Sequence, residues 1–191
     1  MPRTRIIDLE ALSADAFAPF GQVIAMPDRP PVFEGPHIQS WRMEFSAEGP
    51  AELMYVRYRH QPLRLQRMER HFTVAQSFIP MDGRPSVMIV AGPSDATDRL
   101  SVPHPDTVRA FYLEGTTGIL LWPAAWHALT RFPLHPEGGA FAMITARATQ
   151  QELEEQTRSG AEPRLTQVVD FGRAFGVELE VADPLGLMAP A

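Results

Sequence analysis

Six histidines, at positions 37, 60, 71, 104, 127 and 135, are the residues of this chain most suited to proton chemistry near neutral pH. His37, His104 and His135 sit beside prolines in loop-like sequence and read as structural or solvent-facing. His71 and His127 differ, because each borders a pair of strand-like runs joined by a turn. If both face one cavity, one serves as base and the other as acid. Glu69 shares the face of His71 on an extended segment, which makes a Glu-His dyad conceivable. Arginine supplies the basic charge, and its planar fork suits a carboxylate. Arg57, Arg59, Arg70 and Arg109 are the candidates for holding one, and Trp126 is a pocket wall or plain core. There are no cysteines, which excludes disulfides, thiolate nucleophiles and zinc-thiolate sites.

Strands must carry these residues. The chain has 191 residues, enough for one ordinary domain over 1–191, and 19 of them are proline. Short apolar runs punctuated by proline and glycine predict a mainly β barrel or sandwich. Residues 8–19 read as a short helix with Ser13 or Asp8 as its cap, and 20–26 as a strand. The proline-rich stretch 27–39 reads as a loop or meander, and MEFSAEG (43–49) as a weak strand. Along 51–62, Met54, Val56 and Tyr58 alternate with Leu53, Tyr55, Arg57 and Arg59, so one face is core and the other sets two arginines side by side. The runs 73–83 and 85–93, joined at Asp82-Gly83, predict a hairpin; so do 108–115 and 118–129, joined by Thr116 and Thr117. A strand at 138–148 and a surface helix at 149–160, stopped by Gly160, follow. The tail from Ala161 reads as frayed toward its end.

Net charge is −6 with no basic stripe, so no nucleic-acid surface is expected. No window approaches the length of a membrane span and the N-terminus lacks an export signal, so no membrane partner and a cytoplasmic location are expected.

Two elements around the histidines resemble the cupin pattern of the double-stranded β-helix. Gly118, the strand ILLW, Pro123, Trp126 and His127 match its second element. In the first, His71 takes the first ligand position, Thr73 stands where a second histidine would be, and Gln76 lies near the glutamate position. The resemblance therefore implies a cupin-like barrel core over about 50–147, with the terminal segments and a few short helices packed outside. It implies no tightly bound cofactor and at most a weakly held divalent metal on His71, Gln76 and His127, because the anionic ligand is replaced.

A narrower resemblance lies within it. Glu69-Arg70-His71, then Gln76-Ser77-Phe78-Ile79-Pro80-Met81, resembles the E-R-H…Q-x-F-I-P element of the ureidoglycolate lyase family. Arg109-Ala110-Phe111, the Gly118…Trp126-His127 segment and FAPFGQVI at 17–24 are similar to further elements of that family, in the same order. Together they span about 17–26 and 66–147. Ala128 and Leu129 stand where the family usually has a second histidine and then proline.

The resemblance implies a carbon-nitrogen lyase of purine nitrogen salvage (allantoin degradation) that splits ureidoglycolate to glyoxylate and urea. His71, His127 and Glu69 would move protons, Gln76 would hydrogen-bond the ureido group as amide to amide, and Arg57, Arg59, Arg70 or Arg109 would hold the carboxylate. A homodimer is implied as well. The changes at Ala128 and in the 27–42 loop leave open a related enzyme for another small hydroxy or ureido acid. A non-catalytic cupin that binds a small carboxylate is the third reading.

Overall fold

The structure, a computed structural model, describes residues 2–183 and 185–188. The chain runs β1 (Arg3–Ala11), α1 (Ala14–Phe17), β2 (Gly21–Ile24), β3 (Phe33–Gly35), β4 (Ile38–Ser40), β5 (Ala51–Tyr58), β6 (Arg64–Leu65), β7 (Arg67–His71) and β8 (Gln76–Pro80). It continues with β9 (Gly83–Ala91), β10 (Arg109–Gly115), β11 (Gly118–Leu121), β12 (Trp126–Ala128), β13 (Phe132–Pro133) and β14 (Gly139–Ala146). The last elements are α2 (Arg147–Ser159), β15 (Thr166–Asp170), α3 (Phe171–Phe175) and β16 (Val177–Ala182). The fold is mainly β, with two curled sheets. One is ordered β15-β7-β12-β9-β10-β1-β16-β6, with β13 also on β9; the other is ordered β2-β11-β8-β14-β5.

The near-continuous apolar run of β9 explains the layering, because both of its faces are buried. Met88 and Val90 join Phe78, Phe111, Ile119, Phe141 and Met143 in a cluster fed by both sheets, which is the barrel interior. Val87, Ile89 and Ala91 face the other way, into a second cluster with Met68, Trp126, Phe171 and Leu179. The same alternation sorts the chemistry-bearing strands. On β7, Met68 points to the outer cluster while Glu69 and His71 turn inward; on β12, Trp126 and Ala128 are outer and His127 is inward.

The expected hairpins do not form. β8 pairs with β11 and β14, whereas β9 pairs with β10, β12 and β13, so the Asp82-Gly83 turn carries the chain from one sheet to the other. β10 and β11 are split the same way. The turn residues bond outside their own strand pair: the Asp82 carboxylate accepts from the Ala140 amide at 2.9 Å, and the Met81 amide donates to Ala140 O at 2.9 Å. The two turns also meet each other, with Gly115 opposite Gly83, and a Cβ at Gly115 would sit 1.9 Å from Gly83 O. A short turn between apolar runs thus marks a reversal here and not a ladder.

Three other expectations change. The start of the 8–19 segment is strand, because Ile7 and Leu9 bury with period two and β1 lies parallel to β10 and β16; only α1 is helical, capped by Ser13. The 27–39 loop leads into the small hairpin of β3 and β4, and 43–49 holds a single bridge, Ala47 to Val74. The described part of the tail packs against the body of the fold. β15 extends the large sheet beside β7, and the Asp183 carboxylate accepts from the Leu187 and Met188 amides at 2.9 and 2.7 Å. Pro184 and residues 189–191, part of the end expected to fray, lie outside the described residues. The helix at 149–160 forms as α2 with Gly160 as its left-handed cap.

Candidate active site

β7 and β8, with Leu129 and Arg131 just after β12, line one small cavity of about 130 Å³ inside the barrel. Glu69, His71 and Gln76 line it, together with Tyr58 from β5, Arg131 and Gln150 from α2. Phe78, Leu129, Met143 and Leu153 supply its apolar walls. His127 stands beside His71, their ring centroids 5.1 Å apart. A larger hollow of about 500 Å³ near Leu12, Val23 and Tyr112 contains neither imidazole nor arginine, so the chemistry belongs to the smaller space.

Several buried polar atoms here have no protein partner among the described residues: His71 Nε2, His127 Nε2, Gln76 Oε1 and Arg131 Nε. Buried polar atoms are ordinarily satisfied, so a cluster of unsatisfied ones marks the place of a ligand. The other imidazole nitrogens are engaged. His71 Nδ1 lies 2.9 Å from Thr166 Oγ1 on β15, and His127 Nδ1 lies 3.0 Å from Ala128 O. A carbonyl only accepts, so the proton of neutral His127 is on Nδ1 and the Nε2 lone pair is free.

Burial sets the electrostatics. It pushes the Glu69 carboxyl up to about 7, although the Arg131 guanidinium pulls the other way. It lowers His71 to about 4, with Arg131 adding to the effect. His127 falls well below the usual imidazole range through burial, then through Arg131 and His71. Both imidazoles are therefore neutral at pH 7, and the group that titrates near neutrality is Glu69, not a histidine as its type suggests.

Glu69, His71 and His127 bring ligand atoms within 4.8 Å of one another. Two imidazoles and one carboxylate are a donor set that suits a divalent transition metal. The expected metal ligands were His71, Gln76 and His127 without an anion; Glu69 supplies that anion, because it alternates onto the His71 face of β7.

Of the other candidate residues, none enters the cavity. Arg57 is exposed and donates to Glu137 O at 3.1 Å, and with Arg59 it borders a surface depression. Arg70 is fully buried on the outer side of β7, donating to Gln167 Oε1, Ser94 O, Ser94 Oγ, Asp95 O and Asp98 O. Arg109 grips the Glu10 carboxylate and Ala16 O, tying β10 to β1 and α1. Trp126 packs in the outer cluster and donates to Ser94 Oγ at 3.0 Å. Tyr58 and Arg131 were not anticipated. Tyr58 lies on the face of β5 that reads as core, and Arg131 is a single charge in the apolar run ALTRFPL, which is the one signal that pointed to it.

A model of the family described as ureidoglycolate lyase matches residues 4–162. The chain belongs to the ureidoglycolate lyase family. Among curated relatives, the ureidoglycolate lyase of Azotobacter vinelandii is 30% identical over 167 residues, covering 83% of this chain and 89% of that protein. That of Rhodobacter capsulatus is 33% identical over 156 residues, covering 77% and 90%. A solved oxalate decarboxylase of Bacillus subtilis, described with Mn(II) centres, aligns with a TM-score of 0.31 at 15% identity, over 63% of this chain and 32% of that one. The family match spans all four residues singled out by type and spacing, Glu69, His71, Gln76 and His127.

Proposed function

We propose that the chain cleaves ureidoglycolate to glyoxylate and urea, a step of purine nitrogen salvage. The observation that carries the reading is the set of unpartnered polar atoms on His71 and Gln76, which line one small cavity, and on His127 beside His71, in a chain of this family. The substrate is a carbinolamide. Its hydroxyl proton leaves as the C=O bond forms, the C–N bond breaks, and its electron pair goes to nitrogen, which gains a proton and departs as urea. The net requirement is one proton moved from oxygen to nitrogen.

Glu69 suits that transfer. With a pKa of about 7 it is present in both forms at neutral pH, so its carboxylate takes the hydroxyl proton and its carboxylic acid returns it to the leaving nitrogen. His127 Nε2, a lone-pair acceptor, receives a hydrogen bond from the substrate and orients it. Gln76 Oε1 accepts from a ureido N–H. The walls of Phe78, Leu129, Met143 and Leu153 keep bulk water away from the breaking bond.

Glu69, His71 and His127 would also hold a divalent metal, weakly, because the Arg131 cation lies in the same cavity. When bound, such an ion supplies Lewis-acid polarisation of the reacting oxygen. A homodimer fits the outer face of β5, an edge strand on which Leu53 and Tyr55 are each 72% exposed.

The test is product analysis with purified protein and racemic ureidoglycolate. Urea and glyoxylate in equal amounts, above the spontaneous rate, support the reading. Ammonia in place of urea makes the protein a hydrolase. No release above background transfers the site to another small hydroxy or ureido acid.

A further inference from the structure

The four arginines suggested by the sequence are all engaged or oriented elsewhere, yet the cavity contains a fifth. Arg131 follows β12 and is only 3% exposed. Its Nη1 donates to Ala128 O at 2.8 Å and Thr130 O at 3.2 Å, so one arm of the fork is fixed by the backbone. Its guanidinium carbon lies 3.6 Å from the centroid of the Phe78 ring, which holds the plane by stacking. Its Nε is buried and has no partner among the described residues. No Asp or Glu among them pairs with it within 4.0 Å. Glu69 acts on it only through its charge and not by direct pairing, and a prepositioned cation with an unused donor is built for an anion that arrives.

We propose that Arg131, with Tyr58 of the same cavity, forms the subsite that takes the carboxylate of the substrate. Arg131 shares the 130 Å³ space with Glu69, His71 and Gln76. A carboxylate on its free edge sets the adjoining carbinol carbon toward Glu69. Tyr58 lines the same cavity, close enough for the Arg131 charge to act on its hydroxyl. The planar fork, pinned on one arm and stacked on Phe78, selects a planar anion over a neutral aldehyde or amide. Arg131 thus determines which small molecules are accepted, while Glu69 and Gln76 act on what the carboxylate brings in. The identity of the substrate rests on the lyase reading; the carboxylate subsite does not.

Glyoxylate binding therefore serves as the probe, measured by calorimetry on the full chain and compared with glycolaldehyde, which lacks the carboxylate. The wild-type chain is expected to bind glyoxylate and to discriminate against glycolaldehyde. Arg131→Met is expected to weaken glyoxylate binding about 100-fold, and methylguanidinium to restore part of it. In turnover of ureidoglycolate the same variant raises KM far more than it lowers kcat, and Tyr58→Phe has a smaller effect of the same kind. Unchanged glyoxylate affinity in folded Arg131→Met overturns the proposal. Because a buried arginine is being removed, the wild-type chain is also to be crystallised with glyoxylate. A carboxylate on the Arg131 guanidinium supports the subsite; one on Arg57 and Arg59, or no binding in the wild type, overturns it. If ureidoglycolate is not cleaved but glyoxylate still binds through Arg131, the lyase reading fails and the subsite stands.

Discussion

Replacing Glu69 by glutamine should change the pH dependence of stability in a direction opposite to most carboxylate deletions. Glu69 moves from an ordinary value of 4.5 to about 7, and at about 1.4 kcal/mol per pH unit the buried charge destabilises the fold by about 3 kcal/mol above pH 7. Its stabilising contribution, from a protonated buried carboxyl, is complete below pH 4.5 and is lost as pH rises through 7. His71 runs the other way. Lowered from 6.5 to about 4, it contributes stability above pH 6.5 that is lost as pH falls toward 4, again about 3 kcal/mol. Between pH 4.5 and 6.5 the native state gains the Glu69 proton while the unfolded state gains the His71 proton, and the two slopes cancel. Glutamine removes only the first. Glu69→Gln should therefore be more stable than the parent at pH 8, by up to about 3 kcal/mol, and should lose that advantage as the pH falls to 4.5. Urea unfolding of chelator-treated proteins at pH 4.5, 6 and 8, followed by tryptophan fluorescence, measures the difference at each pH. A difference that stays constant across the range would mean that Glu69 titrates at its ordinary value, and the proton transfer assigned to it would lose its basis.

Other outcomes follow from the same geometry. His127→Ala should abolish turnover while circular dichroism and cooperative unfolding persist; residual activity above a few per cent would remove His127 from the site. Arg70→Met should lower stability by about 3 kcal/mol or more, because it leaves the carbonyls of Ser94, Asp95 and Asp98 without their donor, yet leave kcat/KM of the folded fraction intact. Arg57→Met and Arg59→Met should leave both stability and kinetics near those of the parent, since Arg57 is exposed and both lie on the surface depression away from the cavity. Mn(II) titration should show weak binding that Glu69→Gln abolishes, as a site built on Glu69, His71 and His127 requires.

The legible part of the site was the part written in period two. Glu69 and His71 are separated by one residue on a strand, and so must share a face; Arg70 between them must leave it. The apolar runs of β9 and β11 announced core strands for a different reason, since an unbroken apolar run needs both faces covered. Pairing was less legible. The turns at Asp82-Gly83 and Thr116-Thr117 have hairpin spacing, but what lies on either side is buried on both faces, so each strand finds partners in a different sheet. Residues with chemistry were hardest to read where tertiary position alone gives them a role. Arg57 and Arg59 alternate cleanly and face solvent, Arg70 and Arg109 are consumed by loop carbonyls and Glu10, and Arg131 becomes central only because the chain after β12 folds back over Phe78. Protonation state is likewise hard to read from type: an imidazole titrates near neutrality in water, but burial moves both histidines down, with the Arg131 guanidinium adding to it, and moves the Glu69 carboxyl up against that guanidinium.

Product release by Glu69→Gln and the parent, side by side, tests the central claim most directly. Purified proteins are given racemic ureidoglycolate at pH 7, with and without chelator, and urea and glyoxylate are quantified over time. The account predicts equal release of both products by the parent, well above the spontaneous rate, and release at the spontaneous rate by Glu69→Gln. Equal rates for the two proteins, or no release by the parent, would contradict it.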